Sequence, residues 1–204
     1  MRRNAPGMMA NKGHRGWQFA NVRAARKLDR VVARLCRATD GGVVQAAYDP
    51  AEEGAPAPSK HDGDEGLHRL LATPCCPEVD GIVVRYVPRS TLFAILYDFT
   101  VEFDVLLPLY RDGSHDEAAA ARELRIDDFL GNELIATRAK ALDVVALRAS
   151  FDEEKSRCHV EFSTMVGSST WNLIPPVMQL IEPTDAECLR LIELVRLLAV
   201  AVQE

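Results

Sequence analysis

The sequence predicts an α+β fold: an antiparallel sheet of about four to five strands, a basic N-terminal helix, two inserted helices and a C-terminal helix packed on the sheet. Three observations predict it. Apolar residues alternate strictly in the middle of the chain, they recur at three- and four-residue steps at both ends, and two S/T-x-x-E segments mark helix starts. With 204 residues, 48% apolar and 26% charged, the chain can bury a core as one domain with an appended arm.

Residues 1–16, with three Gly, one Pro and little apolar content, read as a flexible basic arm. From Trp17 the apolar positions Phe19, Val22, Ala25, Leu28, Val31, Val32 and Leu35 fall on one helical stripe, and Asp40-Gly41-Gly42 ends it. Residues 17–38 are therefore a basic amphipathic helix. Residues 39–80 form an acidic, Pro/Gly-rich linker or loop centred on 49–66, with a short helical turn over Leu67 to Leu71. Residues 81–204 form the α+β core domain.

Within that core, Ile82 to Val87 read as a strand opened by Asp80-Gly81 and closed by Pro88. A helical turn is expected at Ser90 to Leu96. Phe99, Val101, Phe103 and Val105 then alternate with Asp98, Thr100, Glu102 and Asp104, as in a half-buried strand with an acidic outer face. The capping box Ser114 to Glu117 predicts a helix through Leu124. Asp127 is a candidate cap for another, with Leu130, Leu134, Ile135, Ala139 and Leu142 inward and Gly131 weakening its first turn.

Val145, Leu147, Ala149 and Phe151, then Cys158, Val160, Phe162, Thr164 and Val166, predict a hairpin over about 143–166 around the polar reversal at 152–156. Pro175-Pro176 confine 171–181 to a sheet edge or a packed connector. The capping box Thr184 to Glu187 opens a C-terminal helix that is apolar over most of its girth. Such a helix is either central to the monomer or buried against a second chain, and a homodimer or complex subunit joined through it is expected.

The charge distribution is the main functional signal. Residues 1–37 carry ten Lys or Arg against Asp29 alone, so a net +9 there faces −15 in the remainder, which together make the −6 of the whole chain. Arg15, Arg23, Arg26, Lys27, Arg30, Arg34 and Arg37, with Trp17 beside them, are the candidate binding residues for an acidic partner, either nucleic acid or an acidic protein surface. A pI near 5.4 and the lack of any nucleic-acid-binding motif argue against a dedicated DNA-binding domain.

Asp98, Glu102 and Asp104 are the best carboxylate constellation. Their even spacing puts them on one strand face, where they would hold a divalent metal for phosphodiesterase or nuclease chemistry, or simply give an acidic solvent face. A zinc site from Cys75, Cys76, Cys158, His159 and His68 lacks the usual C-x₂₋₄-C spacing. Cys158 and His159 are neighbours on opposite strand faces and form no nucleophile pair, and Gly167 to Thr170 read as a polar loop. No phosphate-binding, hydrolase or zincin motif is present.

No cofactor is implied. Five cysteines without regular spacing point to a reducing compartment, and no apolar run is long enough to span a membrane. The Arg-rich, acid-poor start has the character of a transit peptide but contains no Ser. The expected function is a non-enzymatic interaction or assembly protein of the cytoplasm that engages an acidic partner through its basic N-terminal segment. The alternatives are a metal-dependent phosphodiesterase or nuclease on the acidic strand, or a sensor with a small-molecule pocket between the sheet and the C-terminal helix.

Overall fold

The structure, a computed structural model, describes residues 11–39, 43–45, 67–72, 79–107, 123–152 and 156–203, with side chains excepted at 11–19, 43–45, 72, 80, 123 and 152. The Ser114 capping box, the 49–66 stretch, Cys75 and Cys76 lie outside the described residues. The fold is α+β. Its elements in chain order are α1 (Asn11–Ala38), β1 (Val43–Gln45), β2 (His68–Ala72), β3 (Val79–Ser90), β4 (Ala94–Leu106), β5 (Glu123–Arg125), α2 (Ile126–Phe129), α3 (Glu133–Ala141), β6 (Val144–Asp152), β7 (Arg157–Leu173), β8 (Pro176–Leu180) and α4 (Asp185–Ala201).

All strand pairings are antiparallel, in the order β1-β2-β3-β4-β7-β6-β5, with β8 also paired to β7. The sheet is wider than the sequence suggests because residues 39–80 contribute two strands. Leu67 to Leu71 is not a helical turn: Leu67 and Leu71 are buried, His68 to Leu71 pair with Ile82 to Arg85, and the Leu67 carbonyl accepts from the Tyr86 N–H. So short a segment is fixed as a strand by its partner and not by its own propensity.

Ser90 to Leu96 is likewise no helix. β3 ends at Ser90, Thr91 to Phe93 make the turn, and β4 starts at Ala94. The Thr91 hydroxyl accepts from the Ala94 N–H and donates to the Ala94 carbonyl, closing a tight reversal.

The predicted alternation of β4 holds on its inner side, where Phe99, Val101, Phe103 and Val105 are all buried. β6 departs from it at Val145. A register shift between Val144 and Ala146 turns Val145 outward, leaving it 59% exposed while Leu147 and Ala149 stay buried. The helices also start elsewhere than expected. α1 reaches back to Asn11, Glu123 and Leu124 belong to β5, and Gly131 separates α2 from α3. Asn132, not Asp127, caps α3, its side chain accepting from the N–H groups of Leu134 and Ile135. Leu130 and Leu134 consequently face solvent, while Ile135, Ala139 and Leu142 are buried.

The Thr184 box forms as predicted: the Thr184 hydroxyl accepts from the Glu187 N–H and the Glu187 carboxylate from the Thr184 N–H. Most of the apolar girth of α4 is used within the chain, while Leu189 and Val200 stay exposed. Cys188, Leu191, Ile192, Leu194, Val195, Leu198, Ala199 and Val202 join one core with α1, α3 and the inner sheet face, where Phe99 and Phe162 are fully buried. Among the described residues no helix is long and apolar enough to cross a membrane.

β7 is the longest strand and changes partners midway. Its first part, to Thr164, pairs with β6, and its last, Ser169 to Leu173, pairs with β8, while β4 runs along both. Between Phe99↔Thr164 and Tyr97↔Ser169 the register slips, so residues 165–168 bulge out of the ladder opposite Asp98. Gly167 makes this possible at φ +90°, with a hypothetical Cβ lying 3.0 Å from the Phe99 ring. The Ser168 hydroxyl accepts from the Phe99 N–H at 2.9 Å and donates to the Thr164 carbonyl at 2.7 Å, satisfying groups the ladder releases. The segment read as a polar loop thus begins in a buried bulge at Gly167 and Ser168 and continues as paired strand at Ser169 and Thr170.

Candidate anion-binding site

α1 lies on the inner face of the sheet because its apolar stripe is continuous there: Ala20, Ala24, Leu28, Val31, Val32 and Leu35 are buried. Each of the larger ones contributes about 1.5–3 kcal/mol of apolar burial. Polar contacts fix its rotation and register. Asn21 Oδ1 accepts from the Tyr97 hydroxyl at 2.9 Å. Asp29 Oδ1 accepts from Nε of the buried Arg69 at 2.8 Å, pinning the helix to β2. Arg34 donates to Glu182 and Asp185, each at 3.0 Å, fastening the C-terminal half to the start of α4. The Asp185 hydrogen bond, reinforced by the Glu182 charge, raises the Arg34 pKa above its usual value.

With α1 so oriented, Arg23, Arg26, Lys27 and Arg30 share one side and line a groove of about 360 Å³ whose other wall is Pro176, Val177 and Met178 of β8. Arg23 also lies over the Trp171 indole, 5.3 Å from its centroid. Among the described residues, no ion pair is made by Arg26, Lys27 or Arg30.

Of the sequence-predicted residues, Arg23, Arg26, Lys27 and Arg30 therefore converge, Arg34 is committed to the chain's own acids, and Arg37 is exposed in the last turn of α1. Arg15 and Trp17 lie on the α1 backbone, with side chains outside the described residues. Sequence reasoning missed Trp171 and the β8 wall. Their inward alternation is visible in the sequence, but what faces them is set by tertiary contact.

The acidic strand is on the other face of the sheet and is neutralised there. Arg85 contacts Glu102 directly and Glu161 at 3.5 Å, filling the gap between two carboxylates that oppose each other across β4 and β7. Asp104 meets His159 Nδ1 at 2.8 Å and Arg157 at 3.8 Å, and Asp98 meets Arg89 at 3.4 Å. Burial pushes the Glu102 carboxyl above the ordinary carboxylate range, against the opposing pull of Arg85. Asp98, Glu102 and Asp104 thus share a face but each turns to its own cation. Among the described residues no three His, Cys, Asp or Glu are grouped to hold a metal ion.

Nucleophile candidates are no better placed. Cys158 and Cys188 are fully buried, and burial pushes both thiols up to about 11. That suppresses the thiolate on which cysteine chemistry depends.

Residues 56–202 match the family described as Protein of unknown function (DUF3156). No curated protein and no solved structure matches the chain.

Proposed function

Because the chain belongs to the DUF3156 family, whose description assigns no activity, we propose a function from the site itself: a non-enzymatic interaction or assembly protein of the cytoplasm that engages an acidic partner, nucleic acid or protein, through the basic stripe of α1. The observation that carries this reading is the convergence of Arg23, Arg26, Lys27 and Arg30 on one groove, away from the acids of the sheet. Cations aimed at an open groove attract anions, whereas the acids of β4 already have partners. A reducing compartment accords with the free thiols of Cys36, Cys158 and Cys188.

The test uses two polyanions, a thymidine dodecanucleotide and a Glu-rich peptide, titrated against the full chain and against the triple variant Arg26→Glu/Lys27→Glu/Arg30→Glu. At least one should bind the parent chain, with affinity falling about tenfold or more between 50 and 200 mM salt, the scale expected for several charge contacts. The triple variant should lose that binding while keeping its melting temperature. Equal binding by the variant, or no binding of either polyanion at low salt, would overturn the reading.

A further inference from the structure

β8 supplies more than a wall. Above the bulge β6 no longer runs beside β7, so β8 is the last described strand on that side and pairs with β7 alone. One row of its backbone N–H and C=O groups therefore points away from the sheet. Native edges of this kind are usually blocked by charge. Here Pro176-Val177-Met178-Gln179-Leu180 carries none, and after Pro176 every residue keeps its N–H. The cationic stripe of α1 stands beside this edge across the groove.

A helix flanking an open strand edge is the arrangement in which extended peptides add a strand to a sheet, with main-chain hydrogen bonds giving affinity and alternate side chains giving specificity. We propose that this groove takes an extended acidic peptide, added as a further strand along β8 with its acids facing α1. The inference rests on the anionic-partner reading and commits it to protein.

Spacing supports the match. Every second side chain of a strand faces the same way, at intervals of about 6.8 Å. Arg23 and Arg30 are seven residues apart on α1, about 10 Å along its axis, with Arg26 and Lys27 between them. Two or three alternating acids therefore meet the stripe, while the apolar residues between them face away from α1. Single-stranded nucleic acid fits less well. It depends on exposed aromatic platforms, and Trp171 is 6% exposed with Arg23 over its ring.

The experiment uses the full chain and an octapeptide of alternating Glu and Val, in three forms: unmodified, N-methylated on every Glu, and N-methylated on every Val. In a strand the two sets of N–H groups point to opposite edges, so strand addition predicts that one methylated form loses tenfold or more in affinity while the other binds like the parent peptide. Salt-sensitive peptide binding that N-methylation lowers equally, or not at all, in both forms would overturn strand addition and leave the anionic reading standing. Binding of the thymidine dodecanucleotide without binding of the peptide would do the same. Failure of both polyanions to bind at low salt would remove the anionic reading and this inference together.

Discussion

The two faces of the sheet handle charge in opposite ways. On the outer face Glu102, Glu161 and Asp104 are interleaved with Arg85, His159 and Arg157 from neighbouring strands, and each acid has a cation within reach. On the inner side α1 sends Arg34 to two acids of its own chain, while Arg26, Lys27 and Arg30 pair with none of the described residues. The difference separates charges that have partners within the fold from charges that meet none among the described residues. A row of acids on a strand reads from sequence either as a metal site or as a plain solvent face, and here each acid is matched by a cation.

The largest expected effect comes from the element on which the second region depends. Gly167→Ala places a Cβ at 3.0 Å from the Phe99 ring in a backbone conformation at φ +90°, and should cost roughly 2–4 kcal/mol from strain and overpacking. Urea unfolding measures this. A loss below about 0.5 kcal/mol would mean that the bulge tolerates a Cβ at position 167 and does not require glycine there.

Substitutions in the two regions should then diverge. Arg85→Ala leaves Glu102 partly buried and directly opposite Glu161, and should destabilise by about 1–3 kcal/mol, less than for a fully buried pair because Arg85 is partly exposed. Arg26→Ala and Arg30→Ala should each stay within about 0.5 kcal/mol of the parent chain. Equal losses in the same urea titrations would erase the distinction between the two charge sets.

The smallest effect is a pH dependence with opposite signs at two glutamates. Glu187 is held below the usual carboxylate range by the Thr184 N–H. Its contribution is therefore present above the ordinary Glu pKa and lost as pH falls through the lowered folded value. Glu102 is held above that range by burial, so its folded form favours the proton, and its ionisation works against the folded state as pH rises through the raised value. Stability measured from pH 3 to 7 should accordingly lose its low-pH decline in part in Glu187→Gln, and lose part of its opposition at higher pH in Glu102→Gln. Matching curves for the two variants would contradict these assignments.

What the sequence disclosed follows the range of the interactions involved. β4, the Thr184 cap and most of the buried side of α1 were legible because each is set by residues within a few positions of one another, although Val22, expected inward, is 54% exposed while Ala20 and Ala24 are buried. Leu67 to Leu71 was not, since its strand state comes from Ile82 to Arg85 across a long connection. Val145 and Gly167 were missed for a related reason: a bulge depends on how two strands fall out of step, which neither strand records alone. The site divides in the same way. Four cations at helical spacing were readable, whereas Met178 and Trp171 become part of it only when β7 exchanges β6 for β8.

Arg26, Lys27 and Arg30 pair with none of the described residues on a chain whose total charge is −6, and this would shape how the anionic partner proposed above arrives. At a distance a polyanion feels repulsion from the molecule as a whole, and only an approach from the α1 side turns that into attraction as the gap closes. For the partner proposed above, encounters would be sorted by direction before any hydrogen bond forms, with the bulk negative charge acting against misaligned collisions.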